Sequence, residues 1–101
     1  MADRLYLVSC VAKKGEHPAP ARDLYLSTWF VLARDWIERD GAPWYILSAK
    51  YGLVHPDTVI SPYDKTLKAM SVNDQRDWAA KVENQMVEMM SEYNEVIVFA
   101  G

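Results

Sequence analysis

Three short runs of β-forming residues, separated by two stretches of helical spacing, constrain this chain more than any other feature. Arg4 to Val11, RLYLVSCV, is apolar almost without a break. Such a run reads as a strand buried on both faces, as in parallel sheets. WYILS, Trp44 to Ser48, and VIVFA, Val96 to Ala100, repeat the signal. Between the first two runs, residues 21–39 put Tyr25, Trp29, Leu32, Ala33 and Trp36 on one helical face. Pro20 suits the first turn of that helix and Gly41 its C-terminal cap. Leu24, Phe30, Val31 and Ile37 widen the stripe, so the helix is expected to be covered on much of its surface. Before the third run, Ser71 and Asp74 have the spacing of a capping box. Trp78, Val82, Met86, Met89 and Tyr93 then follow at helical intervals.

The resulting order, β-α-β-loop-α-β, predicts an α/β fold. Right-handed crossovers make the strands parallel in the spatial order 2-1-3, with helices on both faces. This is a three-layer, Rossmann-like half of a doubly wound sheet. A chain of 101 residues is expected to form one domain, spanning residues 1–101. So short a sheet leaves edges exposed, and the chain ends on a core strand where a further helix is expected. The expectation is a truncated domain, or a homo-oligomer or other partner that covers the open edge.

Two segments do not fit regular structure. Lys13 to Pro20, KKGEHPAP, reads as a loop because of its Gly and two Pro. Ala49 to about Met70 holds Pro56 and Pro62 and reads as one long irregular segment. Tyr51, Leu53, Val54, Ile60, Tyr63 and Leu67 argue against disorder there, so it is expected to be a packed functional loop.

Composition enters where it excludes something. The net charge of −3 argues against a general nucleic-acid binder, which is usually basic. A single cysteine, Cys10, excludes an internal disulfide framework and fits a reducing compartment. The N-terminal apolar run is too short to cross a membrane and does not match a signal peptide. A cytoplasmic protein without membrane partners is expected.

In open parallel sheets, ligands bind beyond the carboxyl ends of the strands. Here those ends bring Ser9, Lys13 and Lys14 together with Ser48, Lys50 and Tyr51 and with Ala100-Gly101. Lys13, Lys14, Arg22, Lys50, Lys65 and Lys68 make the loop edge basic. The second helix, with Asp74, Asp77, Glu83, Glu88 and Glu92, is acidic. A basic pocket suits a phosphate or another anion. Each residue also has a plain reading. Lys50 is either a ligand of phosphate or a solvated lysine. Ser48 is either a nucleophile with Lys50 as its base or a strand-end hydroxyl bonded to backbone. Tyr51 and Tyr63 either stack on a base or pin the long loop to the core. Cys10 reads better as a small buried residue than as a nucleophile. His17, His55, Asp57 and Asp64 match no standard metal site, so neither metal nor cofactor is expected. P-loop, dinucleotide and nucleophile-elbow motifs are absent.

The stretches LVSCVAKK, PAPARDLYLSTWFVLAR, WYILSAKYGLVHPD and ISPYDKTL together resemble a family of bacterial and phage domains of unknown function (DUF6884). The resemblance is dense over residues 5–70 and looser through Trp78 to VIVFAG. More remotely, the family resembles YaaA-like proteins and the glycosylase-like domain beside archaeosine-forming tRNA enzymes. It implies a C-terminal part beyond Gly101 in relatives. It also marks Ser9, Lys13, Lys14, Arg22, Tyr25, Ser27, Ser48, Lys50, Tyr51, Tyr63 and Asp64 as polar motif positions. With this support, the expectation is an enzyme handling a nucleotide or nucleobase, by N-glycosidic cleavage or base exchange in nucleic-acid modification or phage–host conflict. Asp64, Lys50 and Ser48 are the catalytic candidates, with Asp64 as general base. Ser9, Lys13, Lys14, Arg22, Tyr51 and Tyr63 are the ligand-binding candidates. A non-catalytic nucleotide or nucleic-acid binding module, and a small structural subunit completed at its sheet edge, remain the alternatives.

Overall fold

A computed structural model describes residues 4–9, 14–63 and 69–100. The elements are β1 (Arg4–Ser9), β2 (Ala19–Pro20), α1 (Ala21–Leu24), α2 (Thr28–Asp40), β3 (Trp44–Ser48), β4 (Gly52–Val54), β5 (Val59–Ile60), α3 (Val72–Met90) and β6 (Glu95–Ala100). The fold is mixed α/β. Its main sheet has four strands in the order β4-β3-β1-β6, with β1 parallel to both β3 and β6 and β4 antiparallel to β3.

The three long strands form where β-branched and aromatic residues cluster. Leu5, Tyr6, Leu7 and Val8 are all buried, so β1 is covered on both faces. Tyr6 and Val8 face the main core with Trp44, Ile46 and Val54 from the sheet and Phe30 and Ile37 from α2. Full burial of a side chain such as Phe30 or Ile37 contributes about 1.5–3 kcal/mol, so this cluster is the main attractive term. At the outer end of the sheet Arg4 pairs with Glu95 and donates a hydrogen bond to the Tyr6 hydroxyl at 3.4 Å. That bond, then the nearby negative groups, pushes the Arg4 guanidinium pKa up.

Two expectations about the helices hold at their ends. Gly41 closes α2 with φ 82°, and its N–H donates to the Ile37 carbonyl at 3.2 Å. Ser71 caps α3, its hydroxyl oxygen accepting from the Asp74 N–H at 3.1 Å. Such a cap is worth about 1 kcal/mol.

Three expectations need correction. The single helix over residues 21–39 is two. Tyr25 is extended (φ −87°, ψ 124°) and its backbone bridges Lys14. Ser27 then caps a new helix by accepting from the Phe30 N–H at 3.1 Å. A serine ahead of an apolar run ends one helix and starts another when its side chain competes for backbone N–H groups. Second, the buried stripe of α2 runs through Phe30 and Ile37, while Trp29, Leu32 and Trp36 are 39%, 64% and 52% exposed. With Tyr25 off the helix, the stripe that began there loses its anchor. Third, the sheet is neither three-stranded nor all parallel. The segment read as an irregular loop from Ala49 carries β4, paired to β3 through Ile46–Val54 and Ser48–Gly52, and β5, paired to β2. Elements of two or three residues are too short for periodicity to reveal.

Candidate functional site

The parallel strands end at one edge. Ser9 is in register with Leu47 of β3 and Ala100 of β6. The chain leaves β3 at Ser48, turns through Ala49–Tyr51 and returns as β4 at Gly52. SAKYG is therefore a hairpin turn, and its Gly has two reasons to be there. Gly52 has φ 75°, a region costly for residues with a Cβ. A Cβ there would also lie 2.5 Å from Gln85 Oε1. That oxygen accepts the Leu53 N–H at 2.9 Å, tying the turn to α3.

Ser48 continues the inward alternation of Trp44 and Ile46 and is fully buried. Among the described residues it is the one buried polar residue that is not aromatic. Its oxygen accepts from the N–H groups of Lys50 at 3.3 Å and Tyr51 at 3.1 Å. Its hydroxyl donates to the Tyr63 phenol at 2.9 Å. The Tyr63 phenol meets that of the fully buried Tyr25 at 2.7 Å. The Tyr25 and Tyr51 rings stand edge-on to Tyr63, with centroids 6.5 and 5.8 Å away. Hydrogen-bonded buried hydroxyls of this kind hold a surface in one arrangement, because breaking one leaves its partner unsatisfied.

Two ammonium groups lie on this cluster. Lys14 Nζ is 4.3 Å from the centre of the Tyr63 ring and 5.8 Å from that of Tyr25. It is brought there by the backbone bridge to Tyr25 and by the Gly15 N–H, which donates to the Leu24 carbonyl at 2.8 Å. Lys50 Nζ is 5.3 Å from the centre of the Tyr51 ring. On the α3 side of the turn, the Trp78 indole N–H donates to the Ser48 carbonyl at 2.8 Å. A cleft of about 240 Å³ opens there, lined by Lys50, Lys81, Asp74, Asp77 and Trp78 among others.

The structure thus brings Lys14, Ser48, Lys50, Tyr51 and Tyr63 together, with Ser9 half-buried at the same strand ends. Two of the expected residues are engaged by other parts of the protein. The Ser48 oxygen bonds to the Lys50 and Tyr51 N–H groups and to Tyr63. Its hydroxyl is buried and fully engaged, and the Lys50 ammonium lies on Tyr51. A hydroxyl so placed positions the turn and Tyr63. Arg22 is held in ion pairs with Glu38 of α2, at 2.9 Å, and with Asp57 between β4 and β5. The edge is also less one-sidedly basic than the sequence suggests, since Asp74 and Asp77 of the acidic helix line the same cleft as Lys50. α3 starts at this edge, and that brings its first acidic turns to the site. Lys13 and Asp64, with Cys10, Lys65 and Lys68, lie outside the described residues.

Three contributors carry little signal in the sequence. Tyr25 falls on a helical stripe there, although its position in PAPARDLY also resembles a motif position. Trp78 reads as a core residue, and nothing local distinguishes its indole N–H. Gln85 carries no local signal, because its role exists only when α3 lies against β4. His55 accepts the Asp57 N–H through Nδ1 at 3.0 Å. Among the described residues no group of three or more His, Cys, Asp or Glu is placed to hold a metal ion. Nor is any helix among them long and apolar enough to cross a membrane.

Neither the curated proteins nor the solved structures contain a significant match to this chain. A family model does match, over residues 5–101, covering all of the site just described. The chain belongs to that family, a family of unknown function (DUF6884).

Proposed function

We propose that this chain handles a nucleotide or nucleobase, free or in a nucleic acid, at the edge formed by Lys14, Lys50, Tyr51 and Tyr63. The observation that carries the reading is the pair of ammonium groups resting on tyrosine faces where the parallel strands end. Ammonium groups suit phosphate and tyrosine faces suit a base. An exposed cation–π contact is worth only about 0.5–1 kcal/mol, so a phosphate can draw the lysines away from the rings. The strands β3, β1 and β6, with helices in their connections, support reading the fold as a Rossmann-like half, whose ligands lie at this edge. On this reading the chemistry is cleavage or exchange at an N-glycosidic bond, with Asp64 as general base or as stabiliser of a cationic sugar.

Thermal shift of the wild type and Lys50→Ala against nucleobases, nucleosides, nucleotides and short oligonucleotides tests it. A ligand at a hundred times its dissociation constant adds about 2.7 kcal/mol, several degrees at this size. A shift that Lys50→Ala removes supports the site. No shift with any of these ligands rejects it. Asp64→Asn separates enzyme from binding module: the enzyme loses turnover and keeps the shift.

A second reading, a subunit completed by a second copy, is favoured by the opposite edge. β6 is an outer strand of the sheet, and the large apolar side chains of Trp29, Leu32, Trp36 and Val98 beside it are exposed. An apolar face next to an unpaired strand edge suits a second copy that pairs along β6. A strictly monomeric chain in sedimentation across a wide concentration range rejects this reading.

A further inference from the structure

Ser48 fixes the direction of a proton chain. A serine hydroxyl has one proton to donate and two lone pairs to accept with. Both lone pairs of Ser48 are taken by the N–H groups of Lys50 and Tyr51. Its proton therefore points to its remaining partner, the Tyr63 oxygen, at 2.9 Å. Tyr63 is held as an acceptor by a neighbour that cannot reverse. The Tyr25 hydroxyl, 2.7 Å from the same oxygen, can donate as well. The Lys14 ammonium stands 4.3 Å from the centre of the Tyr63 ring. Two hydroxyl donors and a cation form a setting that favours negative charge on a phenol oxygen. Tyr63 itself is only half-buried at this edge.

We propose that Tyr63 is a proton-transfer residue of this site, its phenolate received by the Ser48 and Tyr25 hydroxyls. This rests on the site being catalytic and adds a group to it. In an N-glycosidic cleavage by water, the Tyr63 O–H bond breaks and its proton goes to the departing base nitrogen. The electron pair stays on the phenolate oxygen. The phenolate then takes a proton from the water that attacks the sugar carbon, and the hydroxyl is restored. Ser48 acts through Tyr63 and is a positioning residue. Among the described residues, Lys14, Tyr25 and Tyr51 are the titratable groups against Tyr63, with Lys50 on Tyr51.

The test reads ionisation directly and needs no ligand. Tyrosine labelled with ¹³C at Cζ, assigned through bonds in the wild type, is titrated by NMR. The Tyr63 signal is expected to move first among the six tyrosines. Lys14→Met, which keeps every hydroxyl, is expected to shift that transition to higher pH. Ser48→Ala is expected to shift it further, with circular dichroism confirming the fold. The proposal is overturned if Tyr63 ionises with or after the other tyrosines, or if Lys14→Met leaves its transition in place. Nucleotide binding with a late Tyr63 transition sinks this proposal alone. An early Tyr63 transition without nucleotide binding sinks the substrate reading alone.

Discussion

Two aromatic regions of this small chain are built on opposite rules. At the turn after β3, Tyr25, Tyr51 and Tyr63 join through hydroxyls, and the buried Ser48 ties them to backbone N–H groups. On the α2–β6 side, Trp29, Leu32 and Trp36 meet Val98 and Phe99 around an open apolar groove of about 430 Å³. The first region is specific because each hydroxyl needs its partner. The second is tolerant because apolar contact has no direction. Aromatic content alone does not separate a site from a sticky face. The polar atoms do.

Ser48→Ala tests that contrast hardest. It strips a buried bond from Tyr63 and leaves two backbone N–H groups without their acceptor, a cost of about 2–3 kcal/mol. At this size the melting temperature should fall by roughly 10 °C. A loss below about 0.5 kcal/mol would mean that water replaces the hydroxyl and that the cluster is not a rigid unit.

Gly52→Ala comes next. The positive φ costs about 1–2 kcal/mol, and the new Cβ presses on Gln85 Oε1. Combining it with Gln85→Ala should relieve the clash and keep the φ term, so the two substitutions should be non-additive in denaturant melts.

Tyr63→Phe keeps the ring under Lys14 and removes only the phenol oxygen. It should cost about 1–2 kcal/mol, chiefly from the buried Ser48 hydroxyl that loses its acceptor.

Leu32→Gln, on the tolerant side, should leave stability within about 0.5 kcal/mol of the wild type, because the side chain is 64% exposed. If Leu32→Gln destabilised the chain more than Tyr63→Phe at low protein concentration, the contrast between the regions would fail.

Which parts were legible in the sequence follows from how local their causes are. The β3 run, the Gly41 stop and the Ser71 cap depend on residues within one turn of each other, and each stands where the sequence puts it. The edge where the parallel strands end was legible too, since strand direction dictates where Ser9, Ser48 and Ala100 lie. The faces of α2 were not. It carries two apolar stripes, and periodicity counts both equally. The core chose Phe30 and Ile37 because Tyr6, Val8 and Trp44 lie against them.

By itself, the sequence determined the three long strands, the helix ends at Gly41 and Ser71 and the edge where the parallel strands end, all written in short-range preferences. Only the tertiary structure decided what the residues there do. Ser48 became a buried director of hydrogen bonds and Arg22 an ion-pair partner. Gly52 became the one residue that lets Gln85 reach the turn. Apart from the two bonds that Ser48 accepts within its own turn, each of these roles is a contact between residues far apart in the chain, and such contacts exist only once burial makes an unpaired polar group costly.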